Sequence, residues 1–479
     1  MFVIWVCVVG LSLVGRSHQQ SAHCLPTEYS SHNCSCIAND VLCQGIVSLA
    51  PVANPLRLNS LSIYDSPNLQ LPNNTFNRLT LSRLSLANNR LFNHDFELNT
   101  FAGLTVQDLD LSNNMLTKIP EAVTNVANIR GLSVSGNPIE NFRNEDRIMK
   151  KIGDTLLRFS FGDDDFDPNW PTELKHFPRL EELNVTRGGF SLMPIWAFYG
   201  FERTLKKLLI ENTNLKSVPL AFGRLNYMTE LRFDHNQEVG DFGMNVPLVH
   251  GILTHIGLIT LKDDNITTFP QILGKFDNLT KLEMGQNALK FVSDQSANAI
   301  KRVTSLSLRN SSISRIPGAL QDMKTLKDID LSFNGIHSIQ RQDLENLTSL
   351  ETLNLNDNPL QYVSDHAFQK SIKLTRVEFR NTQLTNVPCA IKNLCLRAMN
   401  ITVDLTGNKI ECTCSLQWLY KWGSHDITSN RNQHLSVLGN CLTIDSTIQD
   451  YFDKTLKDCP DSYLCNDIQV NSNPDCGVM

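Results

Sequence analysis

Cysteine and aspartate are the residues of this sequence whose number and spacing could carry chemistry. Of thirteen cysteines, Cys7 lies in an apolar stretch at the N-terminus. The others gather toward the two ends: Cys24, Cys34, Cys36 and Cys43 on one side, and Cys389, Cys395, Cys412, Cys414, Cys441, Cys459, Cys465 and Cys476 on the other. An even set so placed is expected to be oxidised to disulfides in an extracytosolic compartment, which leaves no thiol for nucleophilic catalysis. The sharpest charge run is Asp163-Asp164-Asp165-Phe166-Asp167. Clustered carboxylates offer hard oxygen ligands to Ca²⁺, but the run lacks the spacing of a calcium loop and a solvated turn accounts for it equally. His250 and His255 read as part of a longer connecting segment rather than as metal ligands. There is no HExxH, no GxSxG and no phosphate-cradling Gly-Lys-Ser/Thr loop. Acidic neighbours such as Glu181 and Glu182 carry no sign of one buried and one ionised carboxyl group. The reading is of a non-enzymatic chain with no cofactor and no metal.

The elements that must position any functional group are set by a recurring frame, LxxLxLxxN, repeated about every 24 residues. Clear copies are Leu81-Leu84-Leu86-Asn89, Leu326-Ile329-Leu331-Asn334 and Leu350-Leu353-Leu355-Asn358. Further copies start near Leu58, Val106, Ile129, Leu156, Leu180, Leu205, Met228, Ile256, Leu279, Val303 and Leu374, and a degenerate one carries Val403, Leu405, Asn408 and Ile410. This period defines an α/β solenoid, a leucine-rich-repeat horseshoe with a parallel concave sheet. Each copy supplies one short strand and buries its apolar stripe against its neighbours. The ninth position, held by Asn89, Asn114, Asn137, Asn236, Asn287, Asn334, Asn358 and Asn408, places a carboxamide where the chain turns off the strand, to satisfy freed backbone groups. Ser66, Thr213, Ser311 and Thr382 substitute with hydroxyls, and Asp164, Gly188 and Asp264 are weaker replacements. Ile119-Pro120, Met193-Pro194, Val218-Pro219, Phe269-Pro270, Ile316-Pro317 and Val387-Pro388 open the return segments, with Phe76, Phe101, Phe198, Phe222 and Phe368 as wedges between layers.

Because strand side chains alternate, the intervening residues face the concave side. Charge concentrates there at Lys206, Lys207, Glu211, Arg232, Asp234, Lys262 and Glu283, with Arg309 beside them, and this is the first candidate ligand face. A second comprises Asp330, Phe333, Glu378 and Arg380, with Phe333 as an aromatic anchor. Sequons at Asn73, Asn184, Asn265, Asn278, Asn310 and Asn346 mark candidate glycosylation sites. Asn184 points into the concave face, where a glycan would obstruct protein contact. Two further sequons are less favourable: Asn33 lies between cap cysteines and Asn400 falls at a core position of the frame. A net charge of −6 over 479 residues, without a basic stripe, argues against nucleic acid as the main partner.

Phe2 to Val14 is apolar and is followed by Gly15 and Ser17, the pattern of a signal peptide over residues 1–17. No stretch reads as a membrane span or lipid anchor, so a secreted, extracellular protein is expected. The remaining divisions are an N-terminal cysteine-rich cap over 18–56, repeats over 57–408, a C-terminal cysteine-rich cap over 409–460 and a tail over 461–479 with one disulfide. Caps cover the apolar ends that a stack of repeats exposes.

The run from Asn408 through Cys412, Cys414, Leu416, Trp418, Leu419 and Trp422, with Cys441 and Cys459, resembles the C-terminal flanking cap of extracellular leucine-rich-repeat proteins. The resemblance implies Cys412–Cys441 and Cys414–Cys459. The first four cap cysteines are similar to that family's N-terminal cap, implying Cys24–Cys36 and Cys34–Cys43. Cys389 with Cys395 and Cys465 with Cys476 are then the remaining pairs by elimination. In layout the chain also resembles secreted arthropod relatives of the non-catalytic subunit of a shrimp luciferase. Toll-type receptors are similar in the repeat region, although the sequence holds no membrane span or signalling domain of their kind. The expected function is a secreted scaffold binding an extracellular protein or a surface or matrix ligand through the concave face; the alternative is a non-catalytic accessory subunit of a secreted enzyme.

Overall fold

Leucine, isoleucine or valine at the first, fourth and sixth places of each frame can be buried together only if successive turns stack in register, and the computed structural model has that register. It describes Tyr29, residues 33–244, 255–289, 300–395, 400–424 and 435–461, and Cys465. The chain forms two compact units, Met1–Asn137 and Pro138–Met479.

In the first unit an antiparallel hairpin, Cys34–Ile37 with Asp40–Gln44, begins the sheet. Parallel strands Leu56–Tyr64, Leu79–Ser85, Thr105–Asp110 and Gly131–Ser133 follow. In the second unit the parallel strands run from Arg158–Phe161 through Glu182–Thr186, Lys207–Glu211, Glu230–Asp234, Leu258–Thr260, Lys281–Glu283, Ser305–Ser307, Asp328–Asp330, Thr352–Asn354, Arg376–Glu378 and Ile401–Asp404 to Leu435–Leu438. The fourth-position side chains align directly, as in Leu208–Leu231–Ile259–Leu282–Leu306–Ile329–Leu353–Val377. All are buried. Prolines 120, 219, 270, 317 and 388 each precede a short 3-10 helix, because their fixed φ sets the entry and their missing N–H is not needed there.

Every ninth-position asparagine is buried. Asn114 is representative: its Nδ2 donates to Leu86 O at 2.9 Å and Leu111 O at 3.0 Å, and its Oδ1 accepts from the N–H of Asn89 and of Leu91 at 3.0 Å. The carboxamide thereby joins one turn to the preceding one. Asn236, Asn287, Asn334, Asn358 and Asn408 do the same in the second unit.

The ladder is interrupted where the frame carries Asp164 and Gly188. Asp164 is exposed, contrary to its expected place in the series. Aromatic packing takes over: Phe142, Phe159, Phe161, Phe166, Trp170 and Phe190 are buried with ring centroids 5.0–6.4 Å from their neighbours in the cluster and Phe177. Gly188 is required there, since a Cβ would lie 1.9 Å from the Phe190 ring.

Cys34–Cys43, Cys412–Cys441 and Cys414–Cys459 are bonded as the family resemblance implies, and Cys36 is also in a disulfide. Cys24 and Cys476 lie outside the described residues. The pairing of Cys389 with Cys395, and with it that of Cys465 with Cys476, is corrected: Cys389 bonds Cys465. The helix Cys389–Asn393 separates the first two cysteines, while the chain beyond the cap returns so that Cys465 O accepts from Lys392 Nζ at 2.8 Å. Cys395 is itself disulfide-bonded. The buried Lys392 ammonium has its pKa lowered by burial.

Candidate functional site

Along most strands of the second unit, the third, fifth and often seventh residues of the frame leave the core and line up across repeats, with Thr260 and Asp404 buried. Carboxylates and cations meet at several places in these columns. Glu230 receives Arg232 Nε at 2.6 Å and Lys207 Nζ at 3.5 Å. Burial works against its ionisation, but the two cations outweigh it and hold the carboxyl below the usual range. Glu283 sits between Lys281, at 2.8 Å, and Lys262, and its pKa is lowered for the same reason against the same opposing burial. Arg376 bonds Glu378 at 2.5 Å and Arg380 bonds the buried Asp404 at 2.6 Å. The Arg309 guanidinium lies 3.9 Å over the Phe333 ring and donates to Ser332 Oγ at 2.9 Å.

Between these pairs the face is hollowed. A depression of about 500 Å³ has Ser305 and Ser307 among its lining residues, with Lys262, Lys281, Glu283 and Arg309 on one side and Asp328, Asp330, Asn354 and Glu378 on the other. Small side chains in the middle repeat leave the space that longer ones frame. The two candidate faces read from sequence thus meet: Lys262, Glu283 and Arg309 of the first share one hollow with Asp330 and Glu378 of the second. Lys207 and Arg232 line a separate hollow of about 240 Å³ with Glu182, Asn184 and Glu230.

Several candidates have other work. Asp234 is buried, accepting from Thr260 Oγ1 at 2.8 Å and from the Lys262 N–H at 2.9 Å, so it secures the next turn instead of meeting a ligand. Asp330 accepts the Ser332 N–H at 3.0 Å. Asp110, Asn354 and Asp404, each in the same place in its repeat, bond the residue two further on in the same way. Lys206 pairs with Glu181 at 2.8 Å, and Glu211 faces His235 at 3.4 Å. Phe333 is exposed on a left-handed backbone (φ 58°). Lys281 and Asp328 were missed, although the third position that flagged Lys207 also marks them.

Asn73, Asn265, Asn278, Asn310 and Asn346 are exposed. Asn33 and Asn400 are exposed as well, so Asn400 does not occupy a core position. Asn184 is half-buried and its Nδ2 donates to Ser160 Oγ and Glu182 Oε1, both at 3.1 Å. In the acidic run Asp167 accepts from the Asn169 N–H at 2.8 Å and from Asn169 Nδ2, and pairs with Arg143; these contacts lower its pKa. Among the described residues no three metal-binding side chains converge. His250 lies outside the described residues; the His255 ring stacks near Tyr227 at 6.0 Å.

Comparison with known proteins agrees with this geometry. Leucine-rich-repeat family models match residues 105–126 and, in three overlapping segments, 277–336, 301–360 and 324–384. The fold of the chain is the leucine-rich-repeat solenoid. Among relatives, leucine-rich repeat-containing protein 66 of Homo sapiens is 32% identical over 127 residues, covering 24% of this chain and 14% of that protein. Chaoptin of Tribolium castaneum is 24% identical over 317 residues, covering 52% of this chain and 39% of its own length. The chain therefore spans well under half of these relatives. The solved Toll–Spatzle complex, from Drosophila, aligns over 86% of this chain and 70% of that chain, with TM-score 0.52 and 13% identity. No described helix is long and apolar enough to cross a membrane.

Proposed function

We propose that this chain is a secreted, non-enzymatic recognition scaffold that binds an extracellular protein through the sheet face of its second unit. The observation carrying this reading is the hollow of about 500 Å³ in which Lys262, Lys281, Glu283, Asp330 and Glu378 converge. These five charges are already paired or turn-bound, so they are held in place before a ligand arrives. Preset charges of both signs orient a partner and raise its rate of encounter more than they add raw affinity. A protein ligand is favoured because Toll, solved in complex with Spatzle, has the same fold. Location outside the cell is supported by the disulfides.

The test is crosslinking of the purified chain in its native extracellular fluid, read by peptide-level mass spectrometry. Crosslinks from Lys262 or Lys281 to one dominant protein, lost in Glu378→Ala, are the expected result. An enzyme as that protein would make the chain an accessory subunit. Crosslinks spread evenly over lysines away from the sheet face would refute the reading.

A further inference from the structure

The return side of the second unit carries an aromatic surface that the sheet-face reading leaves unused. The residue after the return-segment proline is polar or small in most repeats, as at Glu121, Gln271 and Gly318, but is Ile195 and Leu220 in two consecutive ones. Both are exposed, and beside them Leu192, Trp196, Tyr199 and Tyr227 are 71%, 46%, 67% and 53% exposed. Core filling does not explain them. Ala197, Phe198 and Phe201 of the same turn already face inward and are buried, and Trp170 Nε1 pins the turn through Ala197 O at 2.8 Å. The Phe198 ring packs 6.1 Å from Phe222, which sets the turn bearing Trp196 and Tyr199 next to the helix Leu220–Arg224.

Arg203, Arg224 and Tyr227 line one open depression of about 840 Å³ together with Glu202 and Asn226. Glu202 is engaged locally, accepting the Gly200 N–H at 2.9 Å. On the sheet face Lys207, Arg232, Lys281 and Arg376 each meet a carboxylate. Among the described residues neither Arg203 nor Arg224 forms such a salt bridge, although Glu202 lines the same depression. Two exposed guanidinium groups thus lie in one depression with the exposed Tyr227, and the helix that ends at Arg224 adjoins the turn bearing Trp196 and Tyr199. Arginine, tryptophan and tyrosine are the residue types that dominate binding energy at protein interfaces.

We propose that this return-side surface is a second docking site, for a protein segment presenting an apolar side chain flanked by carboxylates. The apolar group would cover Trp196, Tyr199 and Leu220, and the carboxylates would pair with Arg203 and Arg224. This inference does not depend on what the sheet face binds.

The test uses the full chain with a short fluorescent peptide bearing tryptophan flanked by glutamates, its glutamine-substituted twin, and a heparin-derived oligosaccharide. The glutamate peptide should bind about tenfold more tightly than its twin, and lose that advantage as salt rises. Arg203→Glu with Arg224→Glu should abolish the preference, Trp196→Ala should weaken both peptides, and Lys281→Ala should change neither. Thermal melts confirm that these surface variants fold. Equal binding of the two peptides, absence of binding by both, a preference that survives the arginine reversal, or binding confined to the oligosaccharide would each overturn the proposal.

Discussion

Asp264 stands in the asparagine ladder between Asn236 and Asn287, and replacing it by asparagine should stabilise the chain in a pH-dependent way. Its Oδ1 accepts the Asn236 N–H at 2.8 Å and its own N–H donates to Asn287 Oδ1 at 3.0 Å, so the ladder geometry is kept. Where the asparagines have a donating Nδ2, however, Asp264 has Oδ2, which is buried without a partner. Burial raises its pKa to about 8, with the neighbouring charges of Asp234 and Asp263 adding to the rise and the Asn236 bond opposing it. An aspartate in the unfolded chain titrates near ~3.9. Below that pH both states hold the proton. Between about 4 and about 8 the folded chain keeps a proton the unfolded chain has released, so stability falls as pH rises. At roughly 1.4 kcal/mol per pH unit, the loss reaches on the order of 4 kcal/mol at about pH 7. Asp264→Asn removes this dependence and supplies the missing donor. Melting curves of both proteins across this range should show the variant several degrees more stable at about pH 8, with the gap closing toward about pH 4. Because stacked repeats couple mainly to their neighbours, slower hydrogen exchange should centre on the strands flanking Asp264. A gap of constant size at every pH, or a variant that melts lower at about pH 8, would refute the reasoning.

Other consequences follow from the same packing. Asn334→Leu leaves the Ser311 and Ile313 N–H groups and the Leu308 carbonyl without their partner and should cost about 1–3 kcal/mol, read as a lower denaturation midpoint. Phe190→Ala opens a void in the aromatic cluster and should cost about 3–5 kcal/mol, whereas Tyr199→Ala on the surface should leave the midpoint nearly unchanged. Proteolysis without reduction should yield a peptide joining Cys389 to Cys465; recovery of Cys389 joined to Cys395 would contradict the fold-back of the chain after the cap.

The repeat frame was legible because burial of every apolar column depends on strict register, and a one-residue slip would turn each strand inside out. The same frame misled at Asp164 and Gly188. There the spacing continues, but two turns are joined by ring packing instead of carboxamides. The density of Phe142, Phe159, Phe161, Phe166, Trp170 and Phe190 was the available signal, since bulky rings beside the turn take the space a ladder side chain would fill. Disulfide pairing failed at Cys389, where a helix and a chain reversal intervene, which spacing does not encode.

At the candidate site, alternation told which side chains leave the core but not which of them the scaffold has already engaged. Asp234 and Asp330 illustrate the limit. Both are carboxylates on the outward face, yet one secures the backbone of the next repeat and the other closes a turn in its own. A polar residue in a solenoid serves two demands, the unpaired N–H groups of the turn and the ligand outside. Only side chains that reach past the turn are free to vary with the partner. In the larger hollow these include Lys262, Lys281, Glu283 and Glu378, each held by charge to a neighbouring side chain. Specificity should therefore follow these four residues more closely than the aspartates beside them. Exchanging Asp330 for Asn, which keeps the turn bond, should alter partner affinity less than exchanging Glu378 for Gln, which weakens the grip on Arg376. Equal losses from the two substitutions would place ligand contact on the turn residues after all.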